Sequence, residues 1–315
     1  MRKLITQILP RVQTGVLLAP YTTFRIGGPA AYFFVAETKE DIVNSMRGAK
    51  EAGVRVFVLA GGSNVLVSDK GFDGLVVLNR DTSYSIEGMV VRSHSGTSME
   101  ELVRGAGEAG LAGLEWAGGL PGSVGGAIRG NAGAFGGEIK DTLVSVEYLN
   151  EEGTIASKDA GACAFSYRSS CFKENGWAVL QGEFQLRKED KKGIAAVVAE
   201  HIRYRQEHHP LEYPNAGSVF QNCDLAEIPA SVGEEFREKA KNDPFPVLPA
   251  AVLIAAAGLQ GMRAGDAMVS EKHTNCIVNL GNASSEDVRA LISSVQENIR
   301  EKFGVELKQE IQYVA

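Results

Sequence analysis

The chain has 315 residues, 44% hydrophobic and 23% charged, which is typical of a globular protein of about two domains. Its net charge of −7 offers no general attraction for nucleic acid. The four cysteines form no C-x-x-C pair, which argues against a zinc site or a redox dithiol and favours free thiols in a reducing compartment. Without a recognisable signal peptide or a membrane-spanning apolar run, a cytoplasmic protein is expected.

The first part of the chain has alternating strand and helix patterns. Thr38 is a candidate N-cap for a helix over 39–52 that ends at Gly53. Ser98 and Glu101 have the spacing of a capping box and predict a second helix. Short apolar runs predict strands at 32–35, 56–59, 65–67, 75–78, 89–93, 143–149 and 177–186.

The second part of the chain is less regular. A helix is predicted over 191–205, and a buried helix over 247–259. The stretch 223–249 contains charges, four prolines and little periodicity, so an inserted loop or lid is expected there. A helix over 287–303 with one apolar face precedes an alternating strand over 305–314.

Nine of the twenty residues from Gly118 to Gly137 are glycine. This density is unfavourable in a helix or strand interior and predicts a turning backbone whose N–H groups hold an anion such as a phosphate. A second glycine turn, 60–64, lies between two predicted strands. The two turns could hold one extended phosphate-bearing ligand from two sides, whereas a flexible surface loop is the alternative interpretation.

Several motifs, in this order along the chain, resemble those of a known flavoenzyme family. The motifs are Thr23-Phe-Arg-Ile-Gly-Gly28, Gly61-Gly-Ser-Asn-Val-Leu66, Pro121-Gly-Ser-Val-Gly-Gly126, Asn131-Ala-Gly-Ala-Phe-Gly136, Tyr167-Arg168, Pro214-Asn-Ala-Gly-Ser-Val-Phe220 and Val269-Ser-Glu-Lys-His273. From about Thr22 to its C-terminus the chain resembles the UDP-N-acetylenolpyruvoylglucosamine reductases, also called UDP-N-acetylmuramate dehydrogenases. It is similar to their shorter subclass, which lacks an extra tyrosine-bearing loop.

The resemblance implies an α+β fold. An FAD-binding domain of two α+β subdomains, of the vanillyl-alcohol-oxidase or PCMH type, would precede a C-terminal α+β substrate domain. The expected division is an N-terminal segment 1–20, an FAD-binding domain 21–207 and a substrate-binding domain 208–315. The resemblance also implies noncovalent FAD, NADPH as hydride donor, a UDP-sugar substrate and a role in peptidoglycan precursor synthesis. A monomer without a metal site, nucleic-acid partner or membrane insertion is expected.

The resemblance assigns three catalytic residues. Arg168 would stabilise charge on the substrate carboxylate, Glu310 would act as a protonated donor, and Ser218 would deliver a proton. Sequence pattern alone favours a solvated carboxylate at Glu310 and a turn residue at Ser218. Expected substrate contacts are Tyr167, Arg168, Asn222 and His273. Expected cofactor contacts are Ala60, Gly61, Gly62, Ser63, Asn64, Pro121, Gly122, Ser123, Gly125, Gly126, Asn131 and Gly133.

Two positions depart from the family pattern. Gln221 replaces a usual lysine and Cys223 replaces a usual proline, which puts the handling of the substrate diphosphate or the nicotinamide in question. Two other functions are also kept open. One is a related FAD oxidase or dehydrogenase of another small molecule, and the other is a non-catalytic nucleotide-binding protein.

Overall fold

A computed structural model describes residues 4–315. The α-helices in these residues are α1 (Ile5–Ile8), α2 (Lys39–Ala52), α3 (Met99–Glu108), α4 (Val124–Arg129), α5 (Cys171–Glu174), α6 (Lys191–His208), α7 (Ala230–Glu235), α8 (Ala250–Ala256) and α9 (Ser285–Phe303). The strands are β1 (Gln13–Leu17), β2 (Pro29–Ala36), β3 (Val56–Leu59), β4 (Val65–Val67), β5 (Phe72–Asn79), β6 (Tyr84–Glu87), β7 (Val90–His94), β8 (Leu111–Ala112), β9 (Gly133–Ala134), β10 (Gly137–Glu138), β11 (Leu143–Leu149), β12 (Ile155–Asp159), β13 (Ala178–Gln185), β14 (Arg187–Lys188), β15 (Asn215–Ser218), β16 (Cys223–Asp224), β17 (Lys241–Asn242), β18 (Pro246–Leu248), β19 (Arg263–Ala264), β20 (Ala267–Val269), β21 (Cys276–Asn279) and β22 (Gln312–Val314).

The described chain divides into two compact units, neither of which is one continuous segment. The first unit takes the chain up to Val16, then Ala30–Gly61 and Phe72–Arg205. The second unit takes Leu17–Pro29, Gly62–Gly71 and Gln206–Ala315. Two short stretches from the N-terminal half therefore complete the C-terminal unit. The functional division at residues 207 and 208 stays a prediction.

The first unit contains two main sheets. One has the strand order β1-β2-β5-β3, and its strands β2, β5 and β3 run parallel. The other is antiparallel, with the order β12-β11-β13-β7-β6. Helix α2 begins after Thr38, whose side chain accepts a hydrogen bond from the N–H of Asp41, and ends at Gly53 with a φ of 69°. These are the predicted boundaries, because both caps are local sequence signals.

The second unit is built around helix α9 and the sheet β15-β21-β20-β19. Ser284 caps α9 in a capping box, and Gly304 ends it with a φ of 66°. The apolar face of α9 is buried, as predicted from its periodicity. Strand β22 pairs in parallel with β4, which brings the C-terminal strand against a segment more than 200 residues earlier in the chain. Both units mix helices and strands, which confirms the predicted α+β class.

Three expectations from the sequence are wrong in detail. Residues 223–249 are not an irregular loop: they form the sheet β17-β18-β16 and helix α7, and Cys223, Val232 and Leu248 lie in the core of the second unit. Residues 305–311 are not part of a long strand, since only β22 is regular. The predicted helix over 247–259 is shorter, because its first residues belong to β18.

Of the helices in the described part of the chain, none combines the length and the hydrophobicity needed to cross a bilayer.

Candidate functional site

The two predicted glycine turns meet within the first unit. A Cβ atom built on Gly61 would lie 2.8 Å from the Cα of Gly122, so the two backbones are in close contact and Gly61 has no room for a side chain. Within residues 4–315, the N–H groups of Gly61, Gly122 and Ser123 donate to no protein acceptor. Unpaired N–H groups in adjoining tight turns form an anion-binding surface that fits a diphosphate.

The remainder of the glycine-rich stretch includes a helix that packs closely within the first unit. Helix α4 lies inside it, although the glycine density argued against a helix. A Cβ on Gly125 would lie 2.7 Å from the Cβ of Ser95, so this glycine permits close packing of the helix. The N–H of Gly125 donates to the carbonyl of Ser95, and that of Gly126 donates to the hydroxyl of Ser123. Ligand contacts from Gly125 and Gly126 stay a prediction, but their N–H groups are already used.

A half-buried arginine that sequence reasoning missed supports the glycine-rich stretch. The Nε of Arg205, on α6, donates to the carbonyl of Gly118 at 2.9 Å, and its guanidinium lies 5.3 Å from the ring centre of Phe135. The imidazole of His201 stacks on the ring of Phe135, with the ring centres 4.0 Å apart. Burial lowers the pKa of Arg205, and its Nη2 has no hydrogen-bond partner in the described residues. This orphaned donor fits a ligand with acceptor atoms.

Arg168 lies in a tight turn of the first unit. Ser166 and Ser169 exchange backbone hydrogen bonds at 3.1 and 3.2 Å, so Tyr167 and Arg168 are the two central residues of the turn. Arg168 has a φ of 56°, at the position where type II turns usually require glycine. A bulky residue held in this region is strained, and such strain clusters at functional sites.

Several contacts fix the position of Arg168. Its Nη2 donates to the carbonyl of Gly133 at 3.0 Å, and its guanidinium lies 4.9 Å from the ring centre of Tyr167. The ammonium of Lys173 donates to the carbonyl of Arg168 at 2.9 Å. The side chain is thus anchored to the glycine-rich stretch, and the backbone is held by a cation from α5. Lys173 carried no signal in the sequence, because a single lysine in a short helix is common.

Asn131 connects the same turn to the glycine-rich stretch. Its side chain is fully buried and its φ is 41°, which asparagine tolerates better than most residues. The amide nitrogen donates to the carbonyl of Ser166 at 3.0 Å, and the amide oxygen accepts from the N–H of Lys140 at 3.2 Å. Both polar ends of the side chain therefore serve the protein itself, whereas a contact of Asn131 with a cofactor stays a prediction.

Ser218 and Glu310 lie close together in the second unit. Ser218 ends β15 opposite Cys276, and the N–H of Glu310 donates to the carbonyl of Val219 at 2.8 Å. The side-chain amide of Asn64 donates to the carbonyl of Glu310 at 3.2 Å. The second unit therefore holds the predicted serine, the predicted carboxylate and part of the glycine turn 60–64 in one hydrogen-bonded group.

Asn275 is a second residue that sequence reasoning missed. Its buried side chain accepts from the N–H of Phe220 at 3.0 Å and donates to the carbonyl of Phe220 at 2.8 Å. Its own carbonyl accepts from the N–H of Val219 at 2.8 Å. Three bonds from one residue fix the backbone directly after Ser218. No motif in the sequence distinguished this asparagine from a surface turn residue.

His273 is packed within the second unit. It stacks on His209 with ring centres 4.9 Å apart, and its Nδ1 lies 3.5 Å from the Sγ of Cys276. Burial lowers the pKa of His273, and electrostatic interactions with Lys241 and His208 lower it further. The imidazole is therefore neutral near pH 7 and can accept or donate a hydrogen bond.

The two positions that depart from the family pattern are part of the folded unit. The N–H of Gln221 donates to the carbonyl of Lys308 at 2.9 Å. Cys223 is buried in β16 and pairs with Leu248 of β18. The neighbouring Asn222 is half-buried, and its substrate contact stays a prediction. Of the predicted catalytic residues, Arg168 belongs to the first unit, and Ser218 and Glu310 belong to the second.

Comparison with protein-family models gives two matches. Residues 209–314 match the model described as the C-terminal domain of UDP-N-acetylenolpyruvoylglucosamine reductase. Residues 29–157 match the model described as an FAD binding domain. The two models together cover most of the chain, in the order expected from its motifs.

Individual relatives are similar over almost their whole length. A UDP-N-acetylenolpyruvoylglucosamine reductase from Carboxydothermus hydrogenoformans is 40% identical, and the alignment covers 98% of this chain and 97% of the relative. One from Caldicellulosiruptor bescii is 38% identical over 94% of this chain and 88% of the relative. The crystal structure of the enzyme from Thermus caldophilus is similar with a TM-score of 0.77 and 32% identity, covering 97% of this chain and 99% of that one.

Proposed function

We propose a function from the premise that this chain belongs to the UDP-N-acetylenolpyruvoylglucosamine reductase family. It reduces the enolpyruvyl group of UDP-N-acetylglucosamine enolpyruvate to give UDP-N-acetylmuramate in peptidoglycan precursor synthesis, with FAD as cofactor and NADPH as hydride donor. The observation that carries this proposal is the 40% identity to a reductase over 98% of the chain.

The residues of the first unit fit FAD. The backbone contact between Gly61 and Gly122 leaves N–H groups for a diphosphate, with no side chain in the way. Arg205 adds a guanidinium whose buried Nη2 has no hydrogen-bond partner in the described residues. When bound, the flavin supplies hydride transfer. Gly61, Gly122, Ser123 and Arg205 are the residues proposed to hold it.

The proposed catalytic roles follow from the chemistry of the side chains. Reduction of an enolpyruvyl ether develops negative charge on the carbon next to the carboxylate. Arg168, a planar cation anchored at Gly133, would bind that carboxylate. Glu310 in its protonated form would donate a hydrogen bond to the same charge, and Ser218 would pass its hydroxyl proton to the carbon. His273 and Asn222 would contact the substrate.

We also infer where the protein works. The absence of a membrane-crossing helix in the described residues and four cysteines free of disulfides are compatible with a cytoplasmic enzyme. In that part of the chain, no group of three or more acidic, histidine or cysteine side chains could hold a metal ion, and an enzyme that needs no metal is proposed. A monomer is also proposed.

The test begins with the absorbance of the purified protein. The expected result is a yellow protein with a flavin spectrum that bleaches on addition of NADPH and recovers on addition of the enolpyruvyl substrate. In steady state, NADPH oxidation should depend on that substrate. Rapid reoxidation by oxygen without the substrate would instead indicate a flavin oxidase of another small molecule. Bound FAD without any NADPH oxidation would indicate a non-catalytic nucleotide-binding protein.

A further inference from the structure

Two cysteines flank the turn that carries Arg168. Cys163 is fully buried, Cys171 is partly exposed, and both are free thiols. The N–H of Cys171 donates to the carbonyl of Cys163 at 2.9 Å. Cys163 follows the helical turn Ala160–Ala162, and Cys171 begins α5. A direct backbone hydrogen bond between two residues brings their Cα atoms near the separation of about 4.4–6.8 Å that a disulfide spans.

The hairpin places these two residues opposite each other through one local irregularity. Regular pairing outward from Ser166 and Ser169 would set Ala164 opposite Cys171. Ala164 instead has a φ of 49° and adds an extra residue to its arm, in the manner of a β-bulge. The carbonyl of Cys163, rather than that of Ala164, therefore accepts the hydrogen bond from the N–H of Cys171. Each thiol affects the ionisation of the other, so the two sulfur atoms are near neighbours.

We propose that Cys163 and Cys171 form a modification site, at which a low-molecular-mass disulfide such as oxidised glutathione generates an intramolecular disulfide around Tyr167 and Arg168. The thiolate of Cys171 attacks the oxidant, breaks its S–S bond, forms a mixed disulfide and releases one thiolate. The thiolate of Cys163 then attacks the Sγ of Cys171, forms the protein disulfide and releases the second thiolate. Two electrons pass to the oxidant, and the two protein thiol protons end on the released thiolates.

The environment of each thiol determines which cysteine reacts first and how fast the disulfide forms. Cys171 is the more exposed thiol and is therefore the one that meets the oxidant, whereas Cys163 is buried and donates to the carbonyl of Asp159 at 3.3 Å. Burial raises the pKa of Cys163 to about 12 and also raises that of Cys171. The charged groups that act on the pair are the cation Lys158 and, more weakly on Cys163, the carboxylate Asp159. Since the thiolate is the reactive form, the reaction is slow at neutral pH and accelerates as the pH rises.

The disulfide would change the setting of Arg168. It would fix the base of the hairpin, while the turn is already held through Gly133 and Lys173. A misplacement of about 1 Å can slow a reaction on the order of 100-fold. This consequence rests on the proposed function, whereas formation of the disulfide does not.

The sequence makes the disulfide easy to detect. Trypsin cleaves after Lys158, Arg168 and Lys173, so it separates the two cysteines into the peptides 159–168 and 169–173. The holoenzyme is incubated with oxidised glutathione at mildly alkaline pH, alkylated and digested. The expected result is that the two peptides remain joined, and that dithiothreitol releases them. Recovery of both peptides as separate alkylated or glutathionylated species overturns the proposal.

Matched variants and a kinetic measurement complete the test. Cys171→Ser should lose the joined peptides, whereas Cys223→Ala, which alters a buried cysteine of the second unit, should retain them. In the oxidised holoenzyme, reoxidation of the reduced flavin by the enolpyruvyl substrate should slow by at least about 10-fold and recover with dithiothreitol. An unchanged rate in fully cross-linked protein would refute the effect on Arg168. Lack of substrate turnover in the untreated enzyme would refute the proposed function but leave the peptide result valid.

Discussion

Left-handed backbone conformations at non-glycine residues cluster in the hairpin and glycine-rich stretch of the first unit. Asn131, Phe135, Ala164 and Arg168 have φ values of 41°, 51°, 49° and 56°. Each such conformation costs about 1–3 kcal/mol, so contacts around each of these residues must offset that free energy. Asn131 does so with its buried amide, and Phe135 does so by stacking on His201. Such strain is invisible in a sequence, because nothing about an arginine or alanine indicates a positive φ.

Ser218 provides a test of one side chain. If its hydroxyl supplies the proton, Ser218→Ala should reduce its flavin with NADPH at a nearly normal rate. Its reoxidation by the enolpyruvyl substrate should slow by at least about 100-fold, since positioned proton transfer contributes about 10²–10⁴-fold. Stopped-flow absorbance follows the two half-reactions separately, with the exposed Ser293→Ala as control. Equal slowing of both half-reactions would indicate a structural role for Ser218, and unchanged reoxidation would assign the proton to another donor.

His273 should make stability depend on pH. Burial lowers its pKa in the folded protein below the ordinary value of 6.5. As the pH falls through that value, the unfolded chain binds a proton that the folded chain does not, and the free energy of unfolding decreases. Above about pH 7.5 both states are neutral at this residue and it has no effect. Urea unfolding between about pH 7.5 and pH 5 should therefore show a shallower pH dependence for His273→Asn than for the unaltered protein. Parallel curves would exclude this contribution.

At the scale of elements, glycine serves two physical purposes in one stretch. In the turn before α4, glycine allows backbone to touch backbone at Gly61 and Gly122. Inside α4, Gly125 allows the helix to pack against Ser95. The sequence predicted the tight turn from composition, but it could not predict either close contact, because each contact depends on a partner distant in the chain. By contrast, α2 was predicted to the residue, since both of its caps are encoded next to it.

Gly61→Ala tests the contact between the two turns. Gly61 does not have a positive φ, so the added methyl group strains only the contact with the backbone of Gly122, whose Cα would lie 2.8 Å away. Overpacking of this kind costs about 1–3 kcal/mol. FAD affinity should therefore fall by about 10- to 100-fold if the cofactor requires the closed arrangement. Gly161→Ala is the matched control, since a Cβ there meets no atom within 4 Å. Equal flavin content in both purified variants would contradict this location of the diphosphate.

At the scale of the whole molecule, the chain order conceals how the second unit is built. The matching C-terminal family model begins at residue 209, but the core of that unit includes Phe24, Ile26 and Leu66. Strand β4 also gives β22 its partner, and the N–H of Ser68 donates to the carbonyl of Val314 at 2.8 Å. A prediction that divides a sequence by a single cut cannot find such an arrangement, because each inserted segment is only 10 to 13 residues long and its own sequence does not show which unit it packs into.

The separate C-terminal segment should consequently fail to fold. In residues 206–315 alone, the positions of Phe24, Ile26 and Leu66 are empty, although all three are at most 2% exposed in the intact chain. Burial of each such side chain contributes about 1.5–3 kcal/mol, so the loss amounts to about 5–9 kcal/mol. A whole domain is stable by only about 5–15 kcal/mol. We expect the expressed segment 206–315 to show no cooperative urea transition by circular dichroism. In the intact chain, Phe24→Ala should lower the free energy of unfolding by about 3–5 kcal/mol through the cavity it leaves. A cooperative transition in the isolated segment, together with a neutral Phe24→Ala, would mean that residues 17–29 and 62–71 only cover a unit that is already complete.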